Sequence, residues 1–209
     1  MRQACLRLAA LWFLPLLILL WLKGQGTLTI QRLTVDPSAL AGVPAYTGIL
    51  SNLGVYLWLS TASILLFGAW LKAESRSLML LPGCLSLLLG LDDGLMLHEE
   101  LFPALLHLDD RVVQPGLYTL YALALGLLMG QLRPRMAEPG FLILLGSVLC
   151  LGSSVTLDML KESNWLSPRH PLMLDEGLSM WLEDGLKLLG IVAWWGYWTD
   201  FVRDQLRRL

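Results

Sequence analysis

The sequence has few charged residues, few histidines and few cysteines. Charged side chains occupy 15% of the 209 positions, and histidine and cysteine occur three times each. A soluble domain carries about 25% charged residues, so this composition excludes an ordinary water-soluble protein. The cysteines Cys5, Cys84 and Cys150 lie in three separate apolar segments, which excludes a disulfide framework and the CxxC pairs of zinc sites. The C-terminal RDQLRR is too short and too mixed in charge to indicate a nucleic-acid partner.

Apolar side chains are abundant and are grouped in long runs. They make up 56% of the chain, and the mean hydropathy is +0.61. The runs approach the roughly 20 residues that a helix needs to cross a bilayer. We therefore predict an all-α fold, a polytopic transmembrane helical bundle that forms a single transmembrane domain over residues 1–209. Six spans are expected, at about Cys5–Leu22, Ala45–Leu71, Leu78–Leu97, Gly116–Leu132, Gly140–Leu157 and Leu178–Phe201. No small-x-small cleavage site follows the first span in LLWLKGQG, which favours a retained anchor over a signal peptide.

The distribution of lysine and arginine predicts the orientation. If the N-terminus is cytoplasmic, nine basic residues fall on the inner side of the membrane and five on the outer side. The inner set is Arg2, Arg7, Lys72, Arg76, Arg133, Arg135, Arg203, Arg207 and Arg208. An even number of spans then makes the C-terminus cytoplasmic as well. The small size and the absence of a targeting tail favour a bacterial inner membrane.

Two acidic patches interrupt the apolar sequence, LDDGLMLHEE at Leu91–Glu100 and DEGLSMWLEDGLK at Asp175–Lys187. A carboxylate within a bilayer is costly, so it usually faces a partner, a cavity or an ion. On one helix, Asp92 and Glu99 are seven residues apart and would share a face. The deep acids of the two patches lie at comparable depths, and five glycines are small enough to bring the third and sixth spans together. These glycines are Gly90, Gly94, Gly177, Gly185 and Gly190.

The patches predict one polar site on the outer half of the third and sixth spans. The candidate catalytic residues are Asp92, Asp93, Glu183, Asp184 and Lys187. Carboxylates with imidazole are also ligands for a divalent metal, and the candidate ligands are Asp92, Asp93, His98, Glu99, Glu183 and Asp184. No strong metal-binding spacing is present, because HEELF at His98–Phe102 lacks the second histidine of H-E-x-x-H. Asp158 closes the fifth span on the same side as these residues.

Three functions fit such a site. The first is a metal- or proton-dependent membrane enzyme. The outer loops at Thr27–Val35, Leu101–Leu108 and Asn164–Pro171 could together form a lid over the acidic residues, and an apolar lid favours a lipid-like substrate. The second is an ion or proton transporter, in which buried acids and histidine form a relay. The third is an accessory or assembly subunit with an acidic docking face. A purely structural alternative is that Lys187 and Arg111 neutralise nearby acids and hold the two spans together.

The fourth predicted span contains a GxxxG motif, Gly126 and Gly130. Such a motif lets two helix backbones approach closely. Packing within the chain is the favoured interpretation. Oligomerisation through this face is the alternative.

Overall fold

The structure, a computed structural model, describes residues 37–162 and 176–207 together with Leu17, Leu20 and Trp21. The first predicted span, Cys5–Leu22, therefore lies outside the described residues except for those three. Asp175 lies outside them too. The chain divides into two units, Met1–Gly48 and Ile49–Leu209. Only the short helix α1, Pro37–Ala41, is described in the first unit.

The regular secondary structure in the described part of the second unit is entirely helical. Its α-helices are α2 (Ile49–Leu71), α3 (Arg76–Leu95), α4 (Phe102–Leu106), α5 (Asp110–Gln131), α6 (Phe141–Glu162) and α7 (Glu176–Leu206). A π-helical turn, Leu97–Leu101, follows α3, and short 3₁₀ turns occupy Ala73–Ser75 and Arg133–Arg135. The all-α prediction is confirmed for the described residues.

Four stretches are long and apolar enough to cross a membrane: Ile49–Leu71, Ala73–Leu95, Arg111–Gln131 and Phe141–Leu160. They correspond to the second to fifth predicted spans, with boundaries shifted by a few residues. Helix α7 corresponds to the sixth predicted span but is not among these four. It carries Glu183, Asp184 and Lys187 within its length. That α7 crosses the membrane stays a prediction.

Helix α2 packs against both α3 and α7, α6 packs against α7, and α5 packs against α3 and the π-helical turn. Small residues allow these contacts. A Cβ placed on Gly90 would lie 2.9 Å from the Cβ of Trp58 on α2, and one on Gly190 would lie 2.7 Å from Cγ of Leu151 on α6. Gly94 likewise faces Val55 of α2. For Gly90, Gly94 and Gly190, the prediction of a direct contact between the third and sixth spans is therefore wrong, since these glycines contact α2 or α6. A Cβ on Gly185 would meet nothing within 4 Å, and for Gly177 the contact stays a prediction.

Helix α3 ends earlier than predicted because Met96 adopts a left-handed conformation, with φ of 51° and ψ of 49°. A left-handed residue terminates an α-helix and redirects the chain. Glu99 therefore lies in the π-helical turn and not on the helix of Asp92. The prediction that the seven-residue spacing puts these two acids on one helical face is consequently wrong.

The GxxxG motif of α5 faces open space. A Cβ added to Gly126 or Gly130 would meet nothing within 4 Å. Within the part of the chain that the structure describes, no neighbouring helix occupies this face. The favoured interpretation, packing within the chain, is thus wrong for the described residues, and oligomerisation stays a prediction.

Candidate functional site

A cavity of about 330 Å³ lies among α2, α3, the π-helical turn, α5, α6 and α7. Its polar lining comes from residues near the end of α3 and α6 and near the start of α5 and α7; we call this region the acidic end. Its main polar groups are Asp92, Asp93, His98, Tyr118, Asp158 and Lys187. The rest of the lining is mostly apolar, including Leu85, Leu89, Leu125 and Val148. The cavity therefore has a polar part and an apolar part.

Asp92 and His98 form a buried pair at the acidic end. The Nδ1 atom of His98 lies 2.8 Å from Oδ1 of Asp92, and the backbone N–H of His98 donates to the same oxygen over 3.1 Å. On an unbroken helix, residues six apart would point in directions about 120° apart around the axis. The left-handed Met96 makes the contact geometrically possible, because it turns the chain back towards Asp92. Left-handed backbone at a non-glycine residue costs about 1–3 kcal/mol and is concentrated at functional sites.

The second nitrogen of the His98 ring leads to a group of polar side chains from α5 and α6. Nε2 of His98 lies 3.2 Å from the hydroxyl oxygen of Tyr118, and that hydroxyl donates to Oδ2 of Asp158 over 3.2 Å. The amide of Gln114 also donates to Oδ2 of Asp158, over 3.3 Å. Hydrogen-bonding groups thus connect Asp92 to Asp158 through one imidazole and one phenol.

Asp93 makes a separate pair across the bundle. Nζ of Lys187 on α7 lies 2.7 Å from Oδ1 of Asp93 on α3. The indole N–H of Trp58 on α2 donates to Oδ2 of Asp93 over 3.2 Å. One carboxylate therefore links three helices, and the two acidic patches meet in space through this ion pair.

The other predicted site residues take different positions. Glu183 lines the cavity, and Glu99 lines it at a half-exposed position, with Oε1 3.4 Å from Nε2 of His98. Asp184 is exposed and does not line the cavity. Among the residues that the structure describes, no group of three or more His, Cys, Asp or Glu side chains is arranged to hold a metal ion. The divalent-metal prediction keeps its ligands as candidates only.

Sequence reasoning missed Tyr118, Gln114 and Trp58. Gln114 and Tyr118 are four residues apart and so share a face of α5, a spacing that the sequence displays. The predicted start of the fourth span at Gly116 concealed it, because Gln114 then belonged to a loop. Trp58 carries no signal of its own in an apolar helix of a chain with nine tryptophans.

Burial and neighbouring charge act on the His98 imidazole in opposite directions. Burial lowers its pKa, whereas the hydrogen bond and charge of Asp92 and the charge of Glu99 raise it; Lys187 opposes the rise. The net result is a pKa of His98 above its usual value. An imidazole held in this way can accept a proton at near-neutral pH and keep one nitrogen directed at the cavity.

The fold and the site together define a helical protein with four helices long and apolar enough to span a membrane and with an acidic, partly apolar cavity. The chain belongs to a family described as a domain of unknown function, DUF8692, whose model matches residues 7–201. No curated protein and no solved structure matches the chain.

Proposed function

We propose that this protein is a membrane enzyme that holds a lipid-like substrate in the cavity and moves a proton at the Asp92–His98 pair. The observation that carries the proposal is the 2.8 Å contact between Oδ1 of Asp92 and Nδ1 of His98, in a pair that lines the cavity. A carboxylate on one imidazole nitrogen fixes the tautomer and leaves the other nitrogen to act as a base.

The proton chemistry fits hydrolysis. In the neutral imidazole, Nδ1–H donates to Asp92 and the lone pair of Nε2 accepts a proton from a water molecule as its oxygen bonds to a substrate carbonyl carbon. The imidazolium then returns this proton to the leaving oxygen or nitrogen as its bond to that carbon breaks. The Tyr118 hydroxyl donates to Asp158, so its oxygen, 3.2 Å from Nε2, would orient the water or the substrate by accepting a hydrogen bond.

The two-part lining of the cavity supports an amphipathic substrate. Polar groups that fix orientation, set in a largely apolar pocket of about 300–1,000 Å³, are typical of small-molecule sites. An acyl chain fits beside Leu89, Leu125 and Val148, while a headgroup fits beside Asp92, Asp93 and Lys187. A soluble metabolite would leave the apolar surface unused.

The test is turnover of a total lipid extract by the purified protein in nanodiscs, followed by mass spectrometry. Asp92→Asn and His98→Asn are expected to slow consumption of the affected lipid by about a hundredfold to ten-thousandfold, the usual contribution of general acid–base catalysis. His107→Asn is the matched control, because His107 is exposed, and asparagine tolerates its left-handed backbone (φ 53°). Wild-type protein that consumes no lipid, or a His98→Asn variant as fast as wild type, contradicts the proposal.

Metal dependence has its own measurement. Elemental analysis of the purified protein, with Asp92→Asn and Glu183→Gln alongside, would detect a stoichiometric divalent ion. A metal that is present in wild type and lost in both variants would make the reaction metal-assisted. The same lipid-turnover assay with a chelator would then separate the two mechanisms.

Proton transport is the second candidate, favoured by the hydrogen-bonded series from Asp92 through His98 and Tyr118 to Asp158. Further along the helices, away from the acidic end, three tryptophan rings pack edge to face. The centroid of Trp194 lies 5.9 Å from that of Trp58 and 5.7 Å from that of Trp198. Such a layer is a barrier to a continuous proton path. Acidification of proteoliposomes that His98→Asn abolishes would favour transport over catalysis.

The proposal also includes six spans, with Cys5–Leu22 and Leu178–Phe201 added to the four apolar helices, and both termini in the cytoplasm of a bacterial inner membrane. The excess of lysine and arginine on one side supports this orientation. In a cysteine-free variant, a cysteine at Asp109 should react with a membrane-impermeant thiol reagent in intact cells, and one at Arg135 should react only after lysis. The reverse result would invert the orientation.

A further inference from the structure

Two small residues of the cavity lining are exposed at the side of the bundle. Ala122 on α5 and Gly152 on α6 both line the cavity, and both are exposed. A Cβ added to Gly152 would meet nothing within 4 Å. The cavity therefore reaches the surface between α5 and α6, inside two of the stretches that are apolar enough to span a membrane.

Helices α5 and α6 each pack mainly against other helices and not against each other. Helix α6 packs against α7, whereas α5 packs against α3 and the π-helical turn. Near the acidic end, Gln114 and Tyr118 of α5 both donate to Asp158 of α6. The gap beside Ala122 and Gly152 lies one to two turns further along the helices, where small side chains face it.

The surface around the gap is apolar. Leu123 and Leu127 on α5 are 63% and 66% exposed, and Leu149 on α6 is 61% exposed. Side chains of this kind at the depth of a membrane span face hydrocarbon. An opening framed by them leads to the acyl chains of the bilayer and not to water.

The charge at the acidic end selects among headgroups. Five carboxylates line the cavity, those of Asp92, Asp93, Glu99, Asp158 and Glu183, against one lysine and one histidine. Lys187 already lies 2.7 Å from Asp93. An anionic headgroup would meet like charge in a region of low dielectric, while a cationic or uncharged hydrogen-bond donor would meet acceptors.

We infer that the cavity is loaded sideways from the bilayer, through the gap between Ala122 and Gly152, by an amphiphile with a cationic or uncharged headgroup. This inference rests on the proposed function and names the entry route and the substrate class for the same site. The acyl chain passes between the two helices, and the headgroup reaches the acidic end.

The test uses a spin-labelled long-chain amine as the probe, added to the protein in phosphatidylcholine nanodiscs, and follows the rate at which the label becomes immobilised. Gly152→Ala should load as wild type, since a Cβ fits there. Gly152→Leu and Gly152→Trp should load progressively more slowly, with the Trp variant slowed by roughly tenfold, equivalent to a barrier of about 1.4 kcal/mol. Ala122→Trp, on the other helix, should have the same effect, so that misfolding of one variant does not decide the result.

The matched controls are Leu120→Trp and Ser153→Trp, which add the same side chain at exposed nearby positions outside the cavity lining. Both should load at the wild-type rate. A spin-labelled alkyl phosphate should be immobilised far less than the amine. Wild-type loading by Ala122→Trp and Gly152→Trp would overturn the route, and equal immobilisation of the phosphate would overturn the headgroup class.

Failure of this inference is distinguishable from failure of the proposed function. Loading of the spin-labelled amine and turnover of the lipid extract are measured separately, on wild-type protein and on the same Trp variants. If the Trp variants block loading but wild-type protein transforms no lipid, the entry route stands and the enzyme proposal fails. If lipid is transformed and the Trp variants do not slow loading, the enzyme stands and the route is wrong.

Discussion

The acidic end and the opposite end of the bundle use the same long helices in contrasting ways. At the opposite end, which we call the aromatic end, Trp194, Tyr197, Trp198 and Phe201 pack ring against ring, and all four are buried. At the acidic end, polar side chains surround a cavity and one residue, Met96, has a left-handed backbone. Helices in a membrane gain stability mainly from close packing and hydrogen bonds. The comparison indicates that the aromatic end holds the bundle together and leaves the acidic end free to keep an open site.

The largest expected effect is at the aromatic end. Trp198 is 0% exposed and contacts the rings of Trp194, Tyr197 and Phe201. Trp198→Ala should lower the free energy of unfolding by about 3–5 kcal/mol, because a large buried ring leaves a cavity. The measurement is reversible unfolding in mixed micelles at increasing denaturing detergent.

Trp198→Phe separates packing from hydrogen bonding at the same position. Among the described residues, the indole N–H of Trp198 has no hydrogen-bond partner. Trp198→Phe should therefore lower the free energy of unfolding by only about 1–2 kcal/mol, because part of the ring volume is lost, and this is well below the loss expected for Trp198→Ala. Trp70→Ala is the control, since Trp70 is 74% exposed. A Trp198→Ala variant as stable as wild type would remove the assigned role of the aromatic end.

The second effect concerns the Asp93–Lys187 pair at the acidic end. Removal of one member of a buried pair costs about 3–5 kcal/mol, but the Lys187 side chain is 41% exposed, so solvent screening reduces this cost. Lys187→Met and Asp93→Asn should each lower the free energy of unfolding by about 1–3 kcal/mol. The double variant should lower it by less than the sum of the two single effects. The measurement is a double-mutant cycle on unfolding free energy.

A second cycle serves as the control. Arg203 and Asp200 form an exposed pair at 2.9 Å, with both side chains more than half exposed. Their coupling should stay below about 1 kcal/mol, as for other surface pairs. If the Asp93–Lys187 coupling were no larger, the ion pair would contribute nothing to joining α3 and α7, and the structural interpretation of these charges would lose its support.

The sequence predicted the coarse fold and part of the site, and particular residues show why it stopped there. Apolar run length located the four helices that are long and apolar enough to span a membrane, because length and composition alone set that signal. Asp92, Asp93 and Lys187 were predicted together, since charge is conspicuous in apolar sequence. The contact of His98 with Asp92 depends on the left-handed Met96, and nothing about methionine predicts that backbone. The glycines were assigned to the wrong helix contacts because small size indicates close approach without naming the neighbour.

A third effect, smaller again, concerns the hydroxyl of Tyr118. Tyr118→Phe removes a donor to Asp158 and a partner of His98, while Gln114 still donates to Asp158. One net hydrogen bond of this kind contributes about 0.5–1.5 kcal/mol to unfolding free energy. Tyr56→Phe is the control, because Tyr56 is 66% exposed and should change little. If Tyr118→Phe lowered the free energy of unfolding as much as Trp198→Ala does, the acidic end would also contribute to the packing that stabilises the bundle.

The smallest effect is a dependence of stability on pH, and its sign follows from His98. Burial lowers the pKa of His98, but the hydrogen bond to Asp92 and the charges of Asp92 and Glu99 raise it by more. A group with a raised folded pKa contributes stability that is full below its unfolded value, near 6.5, and is lost as pH rises through the folded value. The melting temperature of wild-type protein in detergent should therefore decline from about pH 6.5 upward.

His98→Asn should lack that part of the decline, and His107→Asn should retain it. The groups that face His98 are Asp92, Glu99, Tyr118 and Lys187, and they are unchanged in the His107 variant. A decline of equal size in His98→Asn would assign the pH dependence to another group. The Asp92–His98 pair would then carry no proton linked to folding, and the acidic end would differ from the aromatic end in polarity but not in its response to pH.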